Sequence, residues 1–350
     1  MRILLVTDAW APQVNGVVVT LRNTIACLER WGHEVIVLSP EGFRTIPMPT
    51  YPEIPLAVLP GRKVARTIRE EEPEAIHIAT EGPLGIAARD YCVAKGLAFT
   101  TAYHTCFPEY VQPRFHVPLG WTYAWLRRFH RPSSAVLVGT GAIRALLEQR
   151  GFANVADWSR GVDLSLFHPA EARFTEYPRP VFTYVGRVAV EKNLPAFLRL
   201  DLPGTKVVVG DGPERARLAR RFPKAVFVGT KSGAELASYY QRADAFVFPS
   251  RTDTFGLVLL EAMACGTPVA AFPVRGPIDV VKDPGAGILN EDLGAAAMAA
   301  LALDRAEVRR YAERYSWEHC TRQFLSHLVP VQERAALPES GLAHGRPLPR

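Results

Sequence analysis

The chain has 350 residues, 48% hydrophobic and 22% charged, with a formal net charge of +6, the composition of a soluble globular protein with room for two domain cores. Basic and acidic residues are mixed along most of it, which argues against a nucleic-acid footprint and leaves a mild attraction to anions. The five cysteines (27, 92, 106, 265 and 320) are odd in number and in no metal-ligand spacing, so a reduced, cytoplasmic setting is expected.

The first apolar run, ILLVT (3–7), ends at Asp8 and is too short for an export signal or a membrane span. It reads as a buried strand, and an amphipathic stretch over 17–31 predicts the helix that follows. EVIVLS (34–39), AIHIA (75–79), AFTTA (98–102) and AVLV (135–138) continue the strand series, with a further helix predicted over 82–95. Residues 43–60 hold five prolines and are expected to form an irregular surface loop. Residues 160–180 separate this series from a second one and read as a linker. The second series runs VFTYVG (181–186), KVVVG (206–210), AVFVG (225–229), AFVFP (245–249) and PVAAF (268–272). Near-continuous apolar strands alternating with helices predict parallel sheets covered on both faces, hence two doubly wound α/β domains facing a cleft. The boundaries read from the pattern are 1–165 and 166–315, followed by a helix over 316–330. After Pro330 the composition turns to Pro, Gly, Ala and Arg, so 331–350 is expected to be a loose tail.

In such folds ligands sit at the carboxyl ends of strands, so the loops that follow strands carry the chemistry. The stretch RTDTFGLVLLEAMACGTPV (251–269) follows the strand at 245–249. It predicts a helix from about Gly256 with a lone carboxylate, Glu261, among side chains that favour burial. A buried carboxylate needs a partner. A core ion pair is one possibility; the two hydroxyls of a ribose diol are another. Asp253 reads either as a cap on that helix or as an acceptor of sugar hydroxyl protons, and the amides of Phe255, Gly256, Leu257 and Val258 would point into the same space.

The whole motif, an acid followed eight positions later by Glu inside FGLVLLEAMACGTPV, closely resembles that of retaining GT-B glycosyltransferases of family 4. The family more often carries Glu at the first acid, where this chain has the shorter Asp253. The resemblance spans roughly residues 1–325, includes four further motifs and implies that the helix over 316–330 crosses back to the first domain. In YVGRVAVEKNL (184–194), Arg187 pairs with Glu191 on the bland reading, whereas the resemblance makes Arg187 and Lys192 a clamp on the donor diphosphate. GDGPERARL (210–218) is turn chemistry by itself, and in the family it borders the nucleotide site, which makes Gly210 and Gly212 donor-binding candidates. In WAPQVNGVVVTLRN (10–23), Gly16 precedes a helix start whose amides could face a phosphate. The resemblance places Gly16 against the donor across the cleft. In AYHTCFPEY (102–110), it makes His104 a contact of the donor sugar, with Cys106 left as packing.

The resemblance therefore implies a glycosyltransferase moving a hexose from a UDP- or GDP-sugar without a metal ion or other cofactor. His104, Arg187, Lys192 and Asp253 are its catalytic candidates. The donor would be held by Gly16, Arg187, Lys192, Gly210, Gly212, Asp253, Phe255, Gly256, Leu257 and Glu261. Front-face attack, with the departing phosphate taking the acceptor's proton, would retain the anomeric configuration. From Tyr110 through Ile143 no acid occurs, while Arg114, Arg127, Arg128 and Arg131 interleave with aromatics, and Trp121, Trp125 and Phe129 share one helical stripe. That stripe is either domain core or a basic surface resting on anionic lipid, as in family members that glycosylate lipids. A membrane glycolipid or diacylglycerol-type acceptor at the inner face of the membrane is the expectation. A soluble sugar acceptor, a sugar-nucleotide epimerase and a non-enzymatic nucleotide-sugar binder are the alternatives.

Overall fold

The computed structural model describes residues 1–13, 15–48, 51–104, 117–171, 174–253 and 255–331. Arg114 and Cys106 lie outside them. Strands β1 (Arg2–Val6) and β2 (Glu34–Leu38) begin the chain, followed by β3 (Thr45–Met48) and β4 (Tyr51–Ala57). β5 (Ala75–Ile78), β6 (Thr100–Tyr103), β7 (Val136–Val138) and β8 (Val155–Asp157) then join the first two. Together these form a six-stranded parallel sheet in the order β2-β1-β5-β6-β7-β8.

The second half repeats the plan. Strands β9 (Val181–Val185), β10 (Thr205–Val209), β11 (Val226–Gly229), β12 (Ala245–Phe248), β13 (Val269–Ala271) and β14 (Gly287–Leu289) form a parallel sheet in the order β11-β10-β9-β12-β13-β14. β5, β6, β9 and β12 are buried along their whole length, so both faces select apolar residues and the runs lose the alternation of a half-exposed strand. In each half the order reverses beside the first strand, between β1 and β5 and between β9 and β12. These are the switch points where a doubly wound sheet opens a crevice.

The proline-rich stretch is not an irregular loop. β3 and β4 pair antiparallel, with Thr45 opposite Ala57 and Ile46 opposite Leu56. A ribbon whose two strands are both edges accommodates residues that lack an N–H, as a central strand does not. The short strands β8 and β14, three residues each, fall outside the sequence-predicted series.

The last helix of the described chain, Trp317–His327, packs on the first half. Trp317, Cys320 and Phe324 enter a core with Ile3, Leu5, Leu21 and Trp158. Glu318 pairs with Arg30, and Gln323 accepts the Ser159 amide at 2.8 Å. The two halves also meet elsewhere. Leu257 packs against cores on both sides, and Asp279 accepts the Ala142 amide at 3.1 Å, near the start of the helix Gly141–Gln149.

Candidate functional site

The loops after β9 and β12 converge at the second switch point. Gly186 ends β9 with φ near +147°, a conformation that suits glycine, and turns the chain toward Arg187, which is half-buried. Tyr184 donates to the Arg187 carbonyl at 2.9 Å and so fixes this turn from beneath. A single helical turn, Val190–Lys192, follows and closes on Asn193, whose side chain donates to the Pro249 carbonyl at 3.1 Å. That bond stitches the β9 loop to the end of β12. Lys192 then reaches across 61 residues of sequence to donate to Asp253 Oδ1. Only 21% and 17% of the two side chains is exposed, so this is an interior ion pair and not a surface one. The other oxygen, Asp253 Oδ2, is buried without a hydrogen-bond partner among the described residues.

Asp253 is therefore not a helix cap. The helix Leu257–Ala264 starts after Gly256, at φ near +85°, and among the described residues no side chain caps its first turn. Gly276 packs directly under this loop, where an added Cβ would lie 2.7 Å from the Asp253 carbonyl oxygen. Glu261 lies one turn beyond Leu257 on the same helical face. It accepts from the Tyr240 hydroxyl at 2.7 Å, a partner on the neighbouring helix Gly233–Arg242. Burial nevertheless pushes its carboxyl up from 4.5 to about 7, against the stabilising pull of that hydrogen bond.

Gly210 and Gly212 lie against this same loop. A Cβ at Gly210 would meet the Gly186 carbonyl at 1.9 Å, and one at Gly212 the Val188 carbonyl at 2.5 Å. The close approach that demands glycine at both is an approach of the chain to itself. Gly16 faces the second half, since an added Cβ would sit 3.7 Å from Leu257 Cδ1. The helix it opens is already capped. Asn15 Oδ1 accepts the amides of Val17 and Val18 at 3.0 and 3.1 Å, which takes up the donors that sequence reasoning left open to a phosphate.

His104 follows β6 directly and is half-buried. Its Nδ1 lies 3.0 Å from Arg160 Nη2, and its ring packs edge-on to Trp158 with centroids 5.4 Å apart. Arg160 is 5% exposed and also donates to the carbonyls of Trp158 and Ser159. Among the described residues no carboxylate pairs with it. Burial lowers its guanidinium to about 10, still charged at neutral pH, and pushes His104 well below the ordinary imidazole range, with the Arg160 charge and then His77 adding to the effect. Phe255 comes close to this group from the second half. A Cβ on Gly139 would touch Arg160 and Phe255 alike, at 3.4 and 3.5 Å.

The aromatic stripe divides. On the helix Leu119–His130, Phe129 is in the core, but Trp121 is 76% and Trp125 42% exposed. Arg127 and Arg128 are exposed as well, Arg127 donating to the Arg150 carbonyl at 2.8 Å. No described helix is long and apolar enough to cross a membrane.

Sequence reasoning missed Arg160 and Tyr240. Arg160 sat in what read as a linker, and Tyr240 in an ordinary amphipathic helix; the residue types alone carried no signal for either.

Residues 14–166 match the family described as Glycosyltransferase Family 4, and residues 179–305 the one described as Glycosyl transferases group 1. The chain is 31% identical over 319 residues to a GDP-mannose-dependent alpha-mannosyltransferase of Mycobacterium tuberculosis (strain CDC 1551 / Oshkosh), with 83% of each chain covered. It is 32% identical over 312 residues to the sulfoquinovosyl transferase SQD2 of Arabidopsis thaliana, covering 78% of this chain and 60% of that one. Among solved structures, the sucrose-phosphate synthase from Thermosynechococcus elongatus superposes with a TM-score of 0.73 at 20% identity, over 93% of this chain and 97% of the other. Anabaena HepE in complex with UDP and glucose does so at 0.69 and 16%, over 93% and 98%. Two doubly wound sheets, acids and cations gathered at the second switch point and these relatives agree: the chain belongs to the family 4, group 1 glycosyltransferases and is a GT-B enzyme that uses nucleotide sugars.

Proposed function

We propose that this enzyme transfers a hexose, with retention, from a GDP-sugar to a hydroxyl of a membrane lipid. The observation that carries the donor half of the reading is the half-buried Lys192–Asp253 pair beside Arg187 at the second switch point. A lysine held by a carboxylate is a cation kept in place before its anion arrives, and a departing diphosphate gains negative charge as the glycosidic bond breaks. Arg187 and Lys192 stabilise that charge, together with the first turn of the helix Leu257–Ala264, which no described side chain caps. Glu261 takes the ribose diol, and Gly16 leaves room for the diphosphate where the two halves meet. With cations in these roles, the reaction is expected to need no metal ion.

The preference for GDP over UDP, and for mannose, rests on relatives named GDP-mannose-dependent alpha-mannosyltransferase. The lipid acceptor is supported by the relative named alpha-monoglucosyldiacylglycerol synthase, and by Trp121 and Trp125 standing exposed beside Arg128. Incubating the enzyme with labelled GDP-mannose, UDP-glucose or ADP-glucose and a bacterial lipid extract tests both halves. Label from GDP-mannose should enter the organic phase, in a product whose anomeric signal is alpha by NMR. A beta product would overturn retention, and label confined to water-soluble products would overturn the lipid acceptor. A donor isomerised without any acceptor would favour an epimerase.

A further inference from the structure

His104 and Arg160 come from different places, the end of β6 and the chain that leaves β8, and meet beneath the junction of the two halves. A guanidinium has five N–H donors and no acceptor. The nitrogen 3.0 Å from Arg160 Nη2 must therefore offer its lone pair, and that nitrogen is Nδ1. A neutral imidazole with Nδ1 accepting carries its hydrogen on Nε2. We propose that Arg160 is a positioning residue of the transfer site, which fixes His104 as the Nε2–H tautomer and so makes it a hydrogen-bond donor and not a base. The assignment rests on the reading that His104 lines the donor-sugar site.

The surroundings hold this state. The titratable groups around His104 among the described residues are Arg160, His77 on β5 and, behind Arg160, Cys320 on the last helix. None is an anion at neutral pH. Burial holds Cys320 as a thiol, raised to about 11, and His77 as a neutral ring, lowered to about 3. Trp158 and Phe255 complete the wall with apolar surface. Among the described residues no carboxylate lies between the imidazole and the Arg160 guanidinium, so a second positive charge there would face the first. In this state His104 donates through Nε2–H, and a proton released during transfer goes to another group.

The position of the imidazole hydrogen can be read without substrate. The full chain labelled with [15N]histidine gives signals from nine imidazoles, and the one missing in His104→Gln identifies His104. We expect the Nε2–H pattern, unchanged from pH 5 to pH 8. Arg160→Lys keeps a cationic donor and should keep this pattern. Arg160→Met should lose it, giving mixed tautomers and a midpoint that rises toward the ordinary range. With GDP-mannose as donor, Arg160→Met should lower kcat by about 10–100-fold with little change in KM, the size of effect seen when the partner that orients a histidine is removed. The Lys variant should recover most of the loss. An Nδ1–H pattern in the wild type, titration of His104 near neutral pH, or a tautomer indifferent to Arg160→Met overturns the proposal. Should Arg160→Met fail to fold, the wild-type and Lys spectra still decide. Inactivity toward every nucleotide sugar would count against the transfer reading and leave the tautomer result standing.

Discussion

Glu261→Gln should strengthen the empty protein and weaken the loaded one, and the balance between the two effects should follow pH. In the unliganded fold, burial lifts this carboxyl from 4.5 to about 7. A raised carboxyl favours the neutral form in the folded state, so the stability it confers is complete below the ordinary value and is lost as pH climbs toward 7. At ~1.4 kcal/mol per pH unit, the displacement caps the loss at ~3 kcal/mol. Glu261 keeps partial contact with solvent, which reduces a realistic figure to ~1–2 kcal/mol. The glutamine variant carries no such charge. It should therefore melt at a temperature close to the wild type's at pH 4.5 and about 1–3 °C above it at pH 8.

Nucleotide binding runs the other way. A carboxylate that accepts both hydroxyls of a ribose must be ionised, so GDP should bind more tightly as pH rises from 6 to 8 and should release a proton on binding near pH 6.5. Glutamine keeps one acceptor and turns the other toward the diol as a donor. Loss of one charge-assisted hydrogen bond, ~2 kcal/mol, predicts about 30-fold weaker binding at pH 8. Calorimetry in buffers of different ionisation enthalpy, beside melting curves at the two pH values, measures all of these. A melting difference that does not change with pH would refute the assignment of a strained, buried carboxyl. Unchanged GDP affinity in the variant would refute the ribose contact.

Lys192→Met should lower turnover by about 10²-fold or more, and wild-type activity should survive EDTA; loss in EDTA restored by a divalent ion would defeat the metal-free mechanism. Trp121→Ser combined with Trp125→Ser should reduce flotation with anionic vesicles at low salt, as should Arg128→Glu, while neutral vesicles bind neither protein. Equal flotation of wild type and variants would remove this helix from the membrane surface. Asp279→Ala removes an acceptor that the second half offers to the Ala142 amide; at ~1 kcal/mol it should shift the balance of closed and open forms about five-fold. An unchanged radius of gyration in solution scattering would show that this contact does not hold the halves together.

The two sheets were legible because their strands are buried on both faces and so read as near-continuous apolar runs, such as VFTYV with its single threonine. β8 and β14 were not, since three residues at a sheet edge leave too short a pattern. Within the site, Glu261 was legible as a charge in an apolar helix, Asp253 as an acid in the loop before it, and Lys192 as a cation at the end of a strand. Their partners were not. Lys192 meets Asp253 across 61 positions and Arg160 meets His104 across 56, distances that only the sheet order closes. Helical spacing correctly put Trp121, Trp125 and Phe129 on one stripe. It could not say that the stripe leaves the core partway along, because that depends on tertiary packing that helical spacing does not encode.

The segment from Asp253 to Glu261 touches every part of the proposed reaction. Its first acid grips Lys192 from the β9 loop, Phe255 approaches the Arg160–His104 group, Leu257 packs into cores of both halves, and Glu261 hydrogen-bonds Tyr240. A helix with apolar residues on nearly every face cannot slide or turn by much without exposing them or opening a void. A displacement at one end is thereby felt at the other. On the proposed ribose contact, nucleotide at Glu261 and the packing of Leu257 between the halves would bear on the same helix, and donor binding would then be linked to the His104 side of the cleft. The same proposal accounts for a carboxylate in an apolar helix: burial lets the helix transmit position, and Glu261 stays polar to meet the ligand.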